Sequence, residues 1–223
     1  WLFDKLKFDN IANHIDELVI INASPSNFKD PISKKFKASI TQLMRKTFVP
    51  LTIGGGLRNL SQVLECFKIG ADKIVLNSAI ADNSSFVKNC VNKFGSQAVI
   101  AGVDFKIQES KYYSYINNGQ KKYLELNKHF KIIKKLKYGE VFLTSIDKDG
   151  TGFGFEKDVL KNYNLKMPLV LSGGAGNSEH FLDIIFNDDL SGLMTGNLFN
   201  FLGNGLIELR RKLLKDSVKL RII

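Results

Sequence analysis

PLTIGGGLRN (Pro50 to Asn59) and PLVLSGGAGN (Pro168 to Asn177) are one pattern written twice: a proline, a short apolar run, a glycine cluster and then the start of a helix. Glycines placed directly after a strand leave backbone N–H groups bare enough to approach an anion, and the helix that follows adds the positive end of its dipole. Two such places predict two phosphate-binding turns in one molecule.

The segments that follow extend the repeat. ADKIVLNSA (Ala71 to Ala79) comes after the first cluster and LSGLMTGNLF (Leu190 to Phe199) after the second, each an apolar run ending in small or polar residues. Gly174 lies 118 positions after Gly56 and Asn197 lies 120 after Asn77, so the two halves keep nearly the same offset. A duplicated half is the natural reading, although βα units share this look in many α/β proteins.

At 223 residues the chain suits one domain, and α/β barrels reach this length as single domains. It has no run of 18 apolar residues and opens with no signal-peptide pattern, so the expectation is a soluble cytoplasmic protein with no membrane partner. Cys66 and Cys90 fall in helical patterns without metal-ligand spacing and read as reduced thiols without a role. The net charge of +10 raises the question of nucleic acid. The lysines are spread over helix faces, densest from Lys121 to Lys137, and no nucleic-acid motif accompanies them, so we expect solvated faces that help attract an anionic substrate.

Apolar runs of four to six residues, each followed by a polar turn and an amphipathic stretch, recur at the spacing of βα units. Strands are expected near Leu18–Asn22, Leu51–Ile53, Lys73–Asn77, Ala98–Asp104, Val141–Ser145, Leu169–Leu171 and Gly192–Thr195. Helices are expected over Trp1–Asn13 and near 31–47, 59–69, 83–94, 124–137, 156–163, 178–186 and 203–214, several with Asn or Ser at the N-cap. Lys106 to Tyr123, with tyrosines alternating around Asn118-Gly119, reads as an inserted β-hairpin.

The fold class that results is α/β, a (β/α)8 TIM barrel built by half-barrel duplication, with residues 1–223 forming a single barrel domain. Seven strands leave such a barrel one short, and the strand ending at Asp104 has no counterpart before Trp1. The domain is therefore expected to be N-terminally incomplete, lacking its first strand, with closure of the fold by something else as the alternative.

Three sets of residues stand where chemistry is expected. Asp104 closes the run AVIAGVD, which puts a carboxylate at the C-terminal end of a buried strand, where barrel enzymes keep their reacting groups. Asp149-Gly150-Thr151 occupies the loop after the strand ending at Ser145, with Gly152 and Gly154 keeping the backbone supple; an ordinary turn is the alternative. At the opposite strand ends Glu17, Lys73 and Glu140 stand at or just before strand starts. Alternate strands supply one interior layer, so these three could form a charged ring at the barrel floor rather than lie on the surface.

DELVIIN, PLTIGGGLRN, GADKIVLNSA, FGSQAVIAGVD, GEVFLTSIDKDGTGFGF and LSGGAGNSEHF together resemble the cyclase subunit of imidazole glycerol phosphate synthase, a lyase of histidine biosynthesis, over roughly Asp16 to Phe199. The resemblance implies a bisphosphate substrate anchored at both ends and a general acid/base at Asp104, since ring closure needs proton transfers at nitrogen and oxygen. It implies one phosphate cradle at Gly56, Asn77 and Ser78, and another at Gly150, Gly174, Gly196 and Asn197, with Asp149 holding the substrate. It further implies that Glu17, Lys73 and Glu140 gate a passage for ammonia from a glutaminase subunit docked at the N-terminal face. No cofactor and no metal are implied. The family's second catalytic aspartate and a gate arginine belong to its first strand.

The chain also departs from the cyclase pattern. Asn22 stands where the cyclase usually has Asp, Asn197 where it commonly has Ser, and Gln120 to Tyr123 lacks an expected Thr-Gly pair. TGNLFNFLGNGL looks more like a paralogous branch associated with amidination of an acetamido sugar in surface polysaccharides. That substrate is one alternative, and a non-catalytic scaffold that activates a glutaminase is another. An isomerase relative with the same half-barrel history needs no ammonia, and the three floor charges argue against it.

Overall fold

The computed structural model describes residues 14–24, 30–45, 48–196, 205–216, 218 and 220. The expected helix over Trp1–Asn13 lies outside them. Seven strands form one parallel path through the molecule: β1 (Leu18–Ile21), β2 (Leu51–Gly54), β3 (Lys73–Leu76), β4 (Val99–Gln108), β7 (Glu140–Ser145), β8 (Leu169–Ser172) and β9 (Gly192–Met194), in that spatial order. The repeat is visible in the register. Ile53 pairs with Ile74 between β2 and β3, and Leu171 pairs with Leu193 at the matching place between β8 and β9.

The sheet curls until its two ends share a core. Val75, Ile100 and Phe142 form a cluster of their own, onto which both Val19 of β1 and Met194 of β9 pack. In a flat sheet β1 and β9 would stand roughly 29 Å apart, six strand spacings of about 4.8 Å. Reaching the same three side chains requires the concave, barrel-type curvature of a (β/α)8 fold. The other strand face meets the helices in a larger core that includes Leu51, Ile53, Ile74, Leu76, Val103, Phe105 and Leu171, all at most 2% exposed.

The helices begin where the sequence places caps. Ser33, Asn59 and Asn83 each accept the N–H three residues on, opening α1 (Lys34–Met44), α2 (Leu60–Lys68) and, after the single turn α3 (Ala79–Asp82), α4 (Ser84–Phe94). Helix α5 (Leu126–Leu136) ends on Lys137 in the left-handed conformation, φ 58°. Cys66 and Cys90 are buried in α2 and α4, and burial pushes their thiols up to about 12 and about 11, so neither is a reactive thiolate. No helix among the described residues is long and apolar enough to cross a membrane.

Three local expectations change. The insertion after Asp104 is a three-strand meander: β4 runs on to Gln108, turns at Glu109-Ser110 into β5 (Lys111–Ile116), and turns again at Asn117–Gln120 into β6 (Lys121–Glu125). Glu109 and Ser110 both take positive φ (49° and 61°) without the Asn-Gly signature of such a turn, which hid it in the sequence. The expected helix at 156–163 is a 3-10 helix, Lys157–Asn162, whose Asp158–Lys161 ion pair fits the eclipsed i,i+3 geometry. The expected helix at 178–186 keeps one α-turn, α6 (Glu179–Leu182), and then tightens, with Ile184 and Asn187 donating to carbonyls three residues back. Helix α7 (Gly205–Lys215) closes the described chain.

Candidate active site

Each glycine cluster fits against the end of the neighbouring strand. A Cβ on Gly55 (φ +93°) would stand 2.1 Å from the Asn22 carbonyl oxygen beyond β1, and a Cβ on Gly173 (φ +92°) would stand 2.5 Å from the Ser145 carbonyl oxygen in β7. Only glycine allows both the approach and the positive φ. The two clusters therefore do the same local job in the two halves.

A cavity of ≈ 400 Å³ opens at the C-terminal ends of the strands. Its rim is made by Gly55, Gly56, Asn77, Ser78 and Asp104, and it deepens to Val19, Val75, Phe142 and Met194. The first expected cradle (Gly56, Asn77, Ser78) and Asp104 thus share one space. The second set does not line it. Gly174 accepts the Gly154 N–H at 2.8 Å, so the Asp149–Gly154 loop is laid onto the second glycine cluster, beside Gly150 (φ +74°). Gly196 follows β9, and Asn197 lies outside the described residues.

Asp104 is where two halves of its own strand environment change hands. It pairs in register with Thr144 of β7 on one side and with Tyr115 of β5 on the other, because β3 ends its pairing with β4 at Ala101. The Asn77 amide donates to its Oδ2 at 3.0 Å. Burial, and next the charge of Asp149, push the Asp104 carboxyl up to about 6. A carboxyl that exchanges its proton near neutral pH is suited to acid and base steps. Asp149 reaches it electrostatically from the loop after β7, whose first turn is held by the Asp149 N–H on the Ser145 carbonyl.

At the other strand ends the three floor charges meet. Lys73 Nζ lies 3.0 Å from Glu140 Oε2 and 3.2 Å from Glu17 Oε2. Burial works against the ammonium, but the hydrogen bonds and charges of Glu140 and Glu17 outweigh it and raise its pKa. Two residues further along each strand, on the same face, come Val19, Val75 and Phe142, which line the cavity above. The charged triad is one side-chain layer beneath the cavity.

Several lining residues carried no clear signal in the sequence. Asn22 looks like a departure from a pattern. Here its amide donates to the Pro31 carbonyl at 2.6 Å while its oxygen accepts from the Ser24 N–H and hydroxyl, tying the loop after β1. Arg58 lies within the first glycine motif, and Asn117 and Asn118 lie in a turn readable only as a turn. Among the described residues no group of three or more His, Cys, Asp or Glu side chains is placed to hold a metal ion.

The curled parallel sheet, with a glycine-bounded cavity at its C-terminal rim, makes this an α/β protein of the (β/α)8-barrel class. A family model described as "Histidine biosynthesis protein" matches residues 11–203, and the chain belongs to that family. It is 32% identical over 211 residues to the imidazole glycerol phosphate synthase subunit HisF of Hydrogenobaculum sp., an alignment covering 93% of this chain and 82% of that protein. To the HisF subunit of Streptococcus mutans it is 30% identical, over 92% of this chain and 82% of that one. To that of Leptospira biflexa it is 29% identical, over 94% and 83%.

Proposed function

We propose that this chain is the cyclase subunit of an imidazole glycerol phosphate synthase. The observation that carries the reading is the stacking of two sites on one axis: Asp104 and the Gly56, Asn77, Ser78 cradle share a cavity, and Lys73 with its two carboxylates lies one layer below it. The names of the relatives support the same reaction. In it, a glutaminase subunit docks at the strand-start face and releases ammonia, which passes the triad of Glu17, Lys73 and Glu140. The apolar layer of Val19, Val75 and Phe142 favours a neutral molecule over ammonium on this path.

The substrate is a ribulosyl aminoimidazole carboxamide ribotide. One of its phosphates sits on Gly56, Asn77 and Ser78, and the other on Gly150, Gly174, Gly196 and Asn197. Ammonia condenses with the ribulosyl carbonyl, whose oxygen leaves as water, Asp104 moves protons as the bond to the leaving aminoimidazole carboxamide ribotide breaks, and ring closure gives imidazole glycerol phosphate. Asp149 orients the substrate and keeps Asp104 protonated to higher pH. Residues 1–223 act as one barrel domain in the cytoplasm.

The test combines the chain with a glutaminase subunit and the ribulosyl intermediate, with glutamine or with ammonium salts as the nitrogen source. Imidazole glycerol phosphate should form under both conditions. Turnover of an acetamido sugar alone, or glutaminase stimulation that survives Asp104→Asn with no product formed by the parent, would overturn the proposal.

A further inference from the structure

The inserted meander touches the cavity at one point. The turn that joins β5 to β6 carries Asn117 and Asn118 into the cavity wall, and the Asn117 backbone N–H donates to the Ser78 hydroxyl oxygen at 2.9 Å. Ser78 precedes α3 but makes no side-chain cap bond to it, so its hydroxyl is not taken up by the helix start. A hydroxyl that accepts from Asn117 has its own proton left to give to something in the cavity.

The turn is firmly placed. Asn117, Asn118 and Gly119 all hold positive φ (55°, 56° and 76°), and a Cβ on Gly119 would stand 3.0 Å from Ile146 Cδ1, so the turn rests on the loop after β7. Its root is as well fixed, since Tyr115, two residues earlier, is in register with Asp104. The charges on the cavity wall are mixed: Arg58 is accompanied by Asp82 and Asp104. With no cationic excess among the described lining residues, an anion held by them depends on neutral donors, and the direction in which each donor points matters correspondingly.

We infer that the Asn117–Asn118 turn is a positioning element for the anion cradle, its Asn117 N–H setting the Ser78 hydroxyl as a donor to a phosphate group in the cavity. This rests on the proposed phosphate site and adds to it a part of the insertion. It makes the meander a component of ligand binding and not a decoration on β4.

The experiment measures the dissociation constant for inorganic phosphate by calorimetry on the whole chain. The variants are a deletion of Asn117 and Asn118, which leaves a two-residue turn, then Ser78→Ala, the two combined, and Glu109→Gly in the other turn of the meander as a control. A lost hydrogen bond to a charged group predicts about tenfold weaker phosphate binding for the deletion. Ser78→Ala should lose a similar factor, the combination no more than either alone, and the control nothing. Deletion with parent-like near-ultraviolet circular dichroism and parent-like phosphate affinity, or penalties that multiply in the combination, would overturn the inference. If the deletion unfolds the chain, parent-like affinity in Ser78→Ala overturns it equally. A parent chain that binds no phosphate would instead remove the cradle itself, and the proposed function with it.

Discussion

The Asn77 side-chain amide donates to Asp104 Oδ2 at 3.0 Å, while its side-chain oxygen Oδ1 is buried and has no partner among the described residues. One end of this carboxamide holds the candidate acid/base, and the other faces no donor among the described residues. A buried acceptor without a partner costs about 1–3 kcal/mol, which a hydroxyl or N–H of a ligand in the cavity would offset.

Asp104→Asn should separate stability from activity. The folded carboxyl titrates near 6, against 3.8 for the ordinary value, so the fold holds a proton that the unfolded chain has already released. The contribution of Asp104 to stability therefore declines as pH rises from about 3.8 to about 6 and is lowest above that. At pH 7.5 the variant should be more stable by on the order of 1–3 kcal/mol in denaturant unfolding. Product formation should fall by roughly 100-fold or more. In the parent, kcat/KM should carry a limb near pH 6, and Asp149→Asn should move that limb to lower pH, burial remaining as the larger cause of the shift.

Lys73→Met leaves Glu17 and Glu140 facing one another without their cation. If the triad controls passage of ammonia, the ratio of glutamine-driven to ammonium-driven product formation should fall by about tenfold, a change of about 1.4 kcal/mol in relative barrier. An unchanged ratio would confine the triad to a structural role.

His129 is 1% exposed on α5, with neither ring nitrogen hydrogen-bonded and its ring edge-on to Tyr123 at 5.2 Å. Burial lowers its pKa to about 4, so between about 6.5 and about 4 the unfolded chain takes up a proton that the fold refuses. Stability should decline across that window on acidification by on the order of 3 kcal/mol. His129→Phe keeps the ring contact and should flatten this part of the stability profile, which equilibrium unfolding at pH 4.5 and 7.5 will read.

Asn22→Asp removes the donor to Pro31 and sets a carboxylate against that carbonyl. A loss of about 1–2 kcal/mol in unfolding free energy is expected. Asn22→Ala, which removes the donor and also the acceptor of the Ser24 N–H and hydroxyl, should cost a similar amount without adding charge.

Much of the architecture was legible because it repeats with a period. All seven strand positions, and the Asn or Ser expected at several helix starts, follow from local patterns of apolar runs and side-chain acceptors; the structure places such caps at Ser33, Asn59 and Asn83. The short 3-10 segment at Lys157–Asn162 and the single turn at Glu179–Leu182 were misjudged in length, because apolar spacing alone does not distinguish an i,i+3 ladder from an i,i+4 one. Of the cavity residues, Asp104 could be named in advance from its place at the end of a recognisable strand, whereas Gly56, Asn77 and Ser78 could be named only through the family resemblance. Asn117 could not be named, because its turn sits 39 residues beyond Ser78 and only the docking of the meander brings them together.

The amino-acid sequence by itself determined the parallel strand plan, the two glycine turns that must accept positive φ, and the family. These are properties of neighbouring residues, set by sterics and by alternation of apolar side chains. Only the tertiary structure decided that Lys73 bridges Glu17 and Glu140, that the Asp104 carboxyl rises to about 6, and that Asn22 ties a loop with both ends of its amide. Those depend on which distant groups share a low-dielectric space, and distance and burial come into being only when the sheet curls.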